Sequence, residues 1–386
     1  MQGVTGVTTA KPHILYLTQA GSIHDERFLI KLRDLGYPLT AVSLARSGNL
    51  SVDGIKVHRL GVPTRGGAVG TLGRFAFSAI AVVRLKRLIA RSKPDIVHSG
   101  FVTTAGFVAA LSGFRPHLSM PWGSDILLQP QESRLRKIIA RFSLKRADLV
   151  TCDAETVKSR ILELAPRNPE DITVFPWGID LELFRPDSAR RDETRHRLDL
   201  DDDTEVLITT RFLGPLYGID DFLRALPAVF RTRPNATALI IGDGPQRSEL
   251  ESLANSLGIE RRVRFLGFIA NPDLPAYLNA ADLYVSPSHS DGTSISLLEA
   301  MGCGLPVVVT DIESIREWVV ENENGLLTPI GDPDRLATAM VKALSDKTML
   351  NRAATNNLRQ VISRANWDTN FAKLEAIYQQ LMHLNQ

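Results

Sequence analysis

Cysteine is nearly absent: Cys152 and Cys303 are the only two in a chain of 386 residues. Two thiols build neither a disulfide framework nor a cysteine metal cluster, and they fit a reducing cytoplasm. Cys303 reads as a small packed residue. Aromatic residues reach only 6%, and no stacking pattern or known binding module interleaves with the basic residues, which argues against a nucleic-acid partner. No apolar run reaches the roughly 18 residues of a membrane span. The nearest, Phe75 to Val83, is bracketed by Arg74 and Arg84. The turn containing Gly242 and Gly244 lacks the G-x-G-x-x-G spacing, so it does not support dinucleotide binding, and Asp243 reads as structural. The opening MQGVTGVTTA has no charged segment leading into an apolar core. It reads as a loose tail and not as a signal peptide.

What is present is the composition of a soluble globular protein, with 44% apolar and 23% charged residues, and enough length for two domains. The net charge of +2 conceals a split. Residues 1–175 carry 24 Lys and Arg against 13 Asp and Glu, whereas the remainder carries 21 against 30. Solvated helix faces account for such a split; so does an anionic partner for the first half. RFAFSAIAVVRLKRLIAR (74–91) and RLRKIIARFSLKR (134–146) mix apolar and basic positions at helical spacing. Each reads either as a core-packing helix with a basic solvated face or as an interfacial helix on anionic lipid. Two in one domain favour a lipid-linked or anionic partner.

A regular cadence runs along the chain. HILYLT (13–18) precedes a helical stretch from Asp25 to Leu35 closed by Gly36, then TAVSLA (40–45). A helix from about Gly73 to Ala90 leads into DIVHSG (95–100) and a helical Thr104 to Leu111. The second half repeats the pattern with EVLITT (205–210), helix Asp220 to Phe230, ATALIIGDG (236–244), helix Arg247 to Leu257, RVRFLGF (262–268), DLYVSPS (282–288) and PVVVTD (306–311). Buried strands alternating with helices predict an α/β fold of two Rossmann-like, doubly wound domains. The reading is a tail at 1–10, an acceptor-side domain at 11–177, a donor-side domain at 178–366, and a last helix at 367–386 packing back on the first domain. Ligands of such sheets sit at the carboxyl ends of strands, and a cleft between two sheets is the expected site.

One stretch stands out at such a strand end: SDGTSISLLEAMGCGLP, from Ser290 to Pro306. Ser294 or Ser296 suits the cap of a helix whose free N–H groups attract anions. Gly292 lets the backbone approach a ligand, so Gly292, Thr293, Ser294 and Ile295 form a candidate diphosphate cradle. Glu299, further along the helix, and Asp291, in the turn before it, then suit hydroxyls of a ribose and a sugar. An ordinary helix start with capping acids and serines would look the same in isolation.

The surroundings add a resemblance. The stretch resembles the E-x7-E signature of retaining glycosyltransferase family 4 and its continuation E-A-M-x-C-G-x-P, with Asp291 in place of the first Glu. PDIVHSG (94–100), WGSD (122–125), FPWGIDLELFRP (175–186), IIGDGPQRSELESLANSLGI (240–259), VRFLGFI (263–269), LPAYLNAADLYVSPS (274–288) and GLLTPIGDPDRLATAM (325–340) are similar to family segments in the same order. The resemblance implies the GT-B fold, with two Rossmann-like domains facing a central cleft. It implies a retaining hexosyltransferase that uses a UDP- or GDP-sugar, without metal or other cofactor, on a glycan or lipid-linked acceptor in cell-surface polysaccharide or glycolipid assembly. It places Asp291, Glu299 and Arg211 in catalysis, and Gly21 and Phe265 with the cradle residues on the donor. His98, Trp122 and Asp125 fall on the acceptor or sugar side, although His98 equally suits a satisfied structural histidine and Asp125 a helix cap. The implied location is cytoplasmic, peripheral at the inner membrane face.

The departures are specific. TTRFLGPLYG (209–218) keeps Arg211, whose fork matches phosphate oxygens, but Tyr217 stands where the family carries Lys. Trp122 stands where many members carry His, and Trp177 where Asn is usual. Two other functions fit the same architecture: a nucleotide-sugar epimerase, and a weakly catalytic binding subunit of a glycan-assembly complex, the latter motivated by Tyr217.

Overall fold

The computed structural model describes residues 11–19, 23–46, 50–62 and 71–384. The chain divides into two compact units. One takes the chain through Asp153, Val157–Phe175 and the residues from Lys373 on; the other takes Ala154–Thr156 and Pro176–Ala372.

The first unit is built on seven strands: β1 (Ile14–Thr18), β2 (Leu39–Ala45), β3 (Val57–Val62), β4 (Ile96–Gly100), β5 (His117–Met120), β6 (Leu149–Cys152) and β7 (Ile172–Val174). They lie in the order β3-β2-β1-β4-β5-β6-β7, every pairing parallel. The second unit has β8 (Glu205–Thr210), β9 (Ala236–Ile241), β10 (Val263–Gly267), β11 (Leu283–Ser286), β12 (Val307–Thr310) and β13 (Gly325–Thr328). Their order is β10-β9-β8-β11-β12-β13, again all parallel. Helices cross between most successive strands, as parallel pairing favours; β2 and β3 are joined without one.

The second sheet shows why its strands read as unbroken apolar runs. Val206, Ile208, Leu239, Ile241, Val307 and Val309 pack into a cluster with Leu297, Met301 and Trp318. The alternate residues Leu207, Ala238, Ile240, Val285 and Val308 pack with Phe222, Leu226 and Met340 on the opposite side. Side chains alternate along a strand, so a sheet covered on both faces needs an apolar residue at every position. The first sheet follows the same rule: Leu15, Leu17, Val42, Leu44 and Val97 bury against Leu85, Ala105 and Val108.

The expected helices appear with small shifts at their ends: Ile23–Asp34, Thr71–Ser92, Ala105–Ser112, Arg134–Arg146, Ile219–Thr232, Arg247–Ser256 and Trp367–His383. Five strands were not read from periodicity: β3, β5, β6, β7 and β13, of three to six residues each. Sequences such as HLSM and LVTC are too short, and too mixed with polar residues, to show a period.

Strand order reverses direction between β1 and β4 in one sheet and between β8 and β11 in the other. At such a switch point the loops leaving the two strands diverge to opposite faces and open a crevice at the carboxyl ends.

Candidate active site at the β8–β11 switch point

Arg211 immediately follows β8, and the segment 288–294 follows β11, so both stand at the switch point of the second sheet. The Arg211 side chain is only 7% exposed. One terminal nitrogen lies 2.6 Å from Asp291 Oδ2; the other donates to Ser294 Oγ at 2.5 Å and Ser296 Oγ at 2.7 Å. The guanidinium also lies 4.4 Å over the Tyr217 ring. A planar cation with a spread charge suits such a mixture of stacking and fork-like bonding. Burial is the largest single influence and works against its charge, but Asp291, Tyr284 and Tyr217 together hold Arg211 above its ordinary pKa. Its Nε is buried without a hydrogen-bond partner. Gly242 is required close by: its φ is +136°, and a Cβ there would lie 2.0 Å from the Arg211 carbonyl oxygen.

Ser294 is the cap of helix Ile295–Gly302, accepting from Leu297 N at 3.4 Å, and thus serves the helix and the arginine together. Ser296 lies inside the helix and joins the arginine set, receiving the Tyr284 hydroxyl at 3.0 Å. Ser314 Oγ donates to the Asp291 carbonyl at 2.7 Å and fixes the turn. Thr293 and Ser294 are buried, and Glu299, 6% exposed, lies in the second turn. Asn271 Nδ2 donates to Glu299 Oε1 at 3.0 Å.

The structure thus brings together Arg211, Asp291, Gly292, Thr293, Ser294, Ile295 and Glu299, but joins Asp291 to Arg211 where the sequence reading aimed it at a sugar. Phe265 lies within β10 and packs against the core cluster of Leu207 and Phe222. A strand interior points its side chain across the sheet and not along it; the exposed aromatic at that strand end is Phe268. Gly21 lies outside the described residues.

The three residues assigned to the acceptor side have packing and backbone partners in the first unit. His98 is fully buried; its Nδ1 meets the Tyr378 hydroxyl at 2.7 Å, its ring packs edge-on to Tyr16, and burial pushes its pKa down to about 3. Trp122 has its ring near His24 and Phe28 and against Gly100. Asp125, fully buried, accepts from Val102 N at 2.6 Å and Trp122 N at 2.9 Å. It fastens the turn after β5 to the turn after β4. Burial raises its pKa to about 6 against the pull of those amides.

Sequence reasoning missed Asn271, Tyr284 and the pair His289–Asp221, whose Nε2–Oδ2 distance is 2.9 Å. His289 was visible two positions before Asp291, but its carboxylate partner is 68 residues away. Among the described residues, no group of three or more His, Cys, Asp or Glu side chains is gathered as metal ligands.

The model of the glycosyl transferases group 1 family matches residues 190–360, and that of the glycosyl transferase 4-like family matches residues 13–154. The GDP-mannose-dependent alpha-(1-6)-phosphatidylinositol monomannoside mannosyltransferase of Mycobacterium tuberculosis is 30% identical over 305 residues, spanning 76% of this chain and 77% of that protein. The chain belongs to glycosyltransferase family 4. This family 4 glycosyltransferase is also 31% identical to the glycogen synthase of M. tuberculosis over 304 residues, spanning 75% of this chain and 70% of that one. Its fold is similar to the crystal structure of Anabaena HepE in complex with UDP-glucose, with a TM-score of 0.77 at 24% identity over 97% of this chain and 99% of that chain. The two doubly wound units are those of a GT-B glycosyltransferase, and the chain is a sugar-transferring enzyme.

Proposed function

We propose that this glycosyltransferase moves a hexose, with retention, from a nucleoside-diphosphate sugar to a lipid-linked or glycan acceptor of cell-surface assembly. The observation that carries the reading is the buried Arg211 fork held by Asp291, Ser294 and Ser296 at the β8–β11 switch point. An arginine beside a capped helix start is a preorganised site for a diphosphate, and its charge is useful as the leaving phosphate develops negative charge. Backbone N–H groups of Gly292 to Ile295 add donors. Glu299, held by Asn271, accepts from ribose hydroxyls, and Asp291 exchanges its arginine for a sugar hydroxyl when the diphosphate arrives. The printed names of the mycobacterial mannosyltransferase and of HepE with UDP-glucose support a sugar-nucleotide donor, and the mannosyltransferase supports a glycolipid acceptor. The reaction needs no metal in this reading, so transfer should persist in excess EDTA.

The first unit supplies the acceptor side, at an anionic membrane face of the cytoplasm, with no role for nucleic acid. On helix Arg134–Arg146 the exposed residues are Arg134, Leu135, Lys137, Ile138, Arg141, Lys145 and Arg146, with Ile138 64% exposed. Helix Thr71–Ser92 exposes Ile80 and Val83 beside Arg84, Lys86, Arg87 and Arg91. Apolar side chains ringed by cations suit shallow insertion among anionic headgroups. Among the described residues, no helix is long and apolar enough to cross a membrane.

The test is a thermal-shift panel of UDP, GDP, ADP and their sugar conjugates on the wild type, Arg211→Ala and Glu299→Ala. Ligand binding raises native-state stability by mass action. A shift with one base, lost in both variants, supports the reading; no shift with any nucleotide sinks it. Conversion of the sugar nucleotide with no acceptor present would turn the reading to an epimerase. Sedimentation with vesicles containing anionic lipid, lost in Lys137→Glu/Arg141→Glu, tests the membrane face.

A further inference from the structure

Resting on that donor-site reading, the geometry points to His289 as a second cationic contact for the donor diphosphate, with Asp221 as its positioning residue. Arg211 is stacked on Tyr217, a neutral phenol, so the loop from Gly214 to Gly218 brings no cation of its own to the phosphates. His289 stands on the facing loop, three positions after the end of β11 and two before Asp291. Its backbone N donates to the Leu216 carbonyl at 2.8 Å, tying the two loops together beside Tyr217. The close approach depends on Gly218, whose φ is +61°. A Cβ there would lie 2.2 Å from the Pro287 carbonyl oxygen and 3.2 Å from His289 Nε2. The imidazole therefore lies against Gly218, the residue next to Tyr217, on whose ring Arg211 rests.

The ring's own bonding leaves one edge for a ligand. Nε2 lies 2.9 Å from Oδ2 of Asp221, in the first turn of helix Ile219–Thr232. The His289 side chain is 38% exposed and that of Asp221 13%. Among the described residues, Nδ1 of His289 has no hydrogen-bond partner. A carboxylate that takes the Nε2 proton fixes which nitrogen faces outward. With an anion on each side, imidazolium is the state in which both nitrogens donate. Asp221 therefore orients the ring, and Nδ1–H bonds a phosphate oxygen when the ring carries both protons. Helix Ile219–Thr232, which has no side-chain cap, directs its N–H groups to the same corner. No covalent step is involved; the role is charge stabilisation at the leaving group.

The test compares His289→Ala, His289→Lys and Asp221→Asn with the wild type and Arg211→Ala. Donor KM and kcat are measured at saturating acceptor, and nucleoside diphosphate affinity by titration calorimetry. A charge-assisted bond to phosphate corresponds to roughly 10- to 100-fold in kcat/KM. His289→Ala is expected to lose that much and to weaken nucleoside diphosphate binding, with a melting temperature only a few degrees lower from the lost Asp221 bond. His289→Lys is expected to recover at least part of both, which a purely structural histidine would not show. Asp221→Asn, which leaves a weaker orienting partner, is expected to fall between. Activity of His289→Ala within two-fold of wild type, while Arg211→Ala loses donor binding, would overturn the inference and leave the donor site in place. Unchanged binding in every variant would overturn both.

Discussion

Replacing Arg211 with Met tests whether the arginine and Asp291 act as one unit. The guanidinium is 7% exposed and the Asp291 side chain 20%, so removing the cation strands a carboxylate that water reaches only in part. Breaking a fully buried pair costs about 3–5 kcal/mol; the solvent left at Asp291 reduces this to about 2–3 kcal/mol. Two serine hydroxyls also lose their donor, and the Tyr217 ring its cation, which adds about 1 kcal/mol. A unit of this size loses roughly 2–4 °C of melting temperature per kcal/mol, so Arg211→Met should melt about 6–16 °C lower. Asp291→Asn alone should also destabilise, because it leaves a buried arginine underpaired. The double variant removes both charges and should recover about 1–3 kcal/mol relative to the sum of the singles. Differential scanning fluorimetry without ligand supplies all four values. The same double variant should still fail to bind nucleoside diphosphate, since the cation proposed to bind the phosphates is gone. Losses that simply add in the double variant would refute the pairing, and full donor binding there would refute the role of Arg211.

Asn271→Ala should raise donor KM about ten-fold with little change in kcat, because it frees Glu299 to rotate without touching the diphosphate; steady-state kinetics against donor concentration checks the split. Tyr378→Phe should cost about 1–2 kcal/mol in thermal melts, since it leaves both nitrogens of buried His98 without a hydrogen-bond partner. Burial holds His98 down to about 3 and His117 to about 4; both stay neutral in the fold while the unfolded chain protonates, so they remove stability as pH falls from about 6.5 towards 4. Asp125, raised to about 6, acts in the opposite sense between about pH 4 and 6, where the unfolded carboxyl ionises first. Asp125→Asn removes that compensation and should therefore show a steeper acid decline than the wild type in a pH series of melts.

The two parallel sheets were legible because a strand covered on both faces must be apolar along its length, and EVLITT, ATALII and PVVVTD show that locally. The loop after β11 was legible for a related reason: Asp291, Gly292, Ser294 and Glu299 lie within nine consecutive residues, so their meeting at one helix start is a property of the segment itself. Arg211 was visible as a lone cation at a strand end. What it touches was not, because Asp291 lies 80 residues further on and meets it only when β8 and β11 become neighbours. Asn271 and Glu299, or His289 and Asp221, are likewise joined by sheet order and carry no spacing signal. His98 shows the limit from the other side. A histidine near a polar turn is equally suited to a ligand or to the core; the fold set His98 in the middle of β4, and the choice fell to Tyr378, 280 residues away, which closes over it. Periodicity and short motifs are written in neighbouring residues and can be read directly; the partner of a buried charge is set by which strands the fold places side by side.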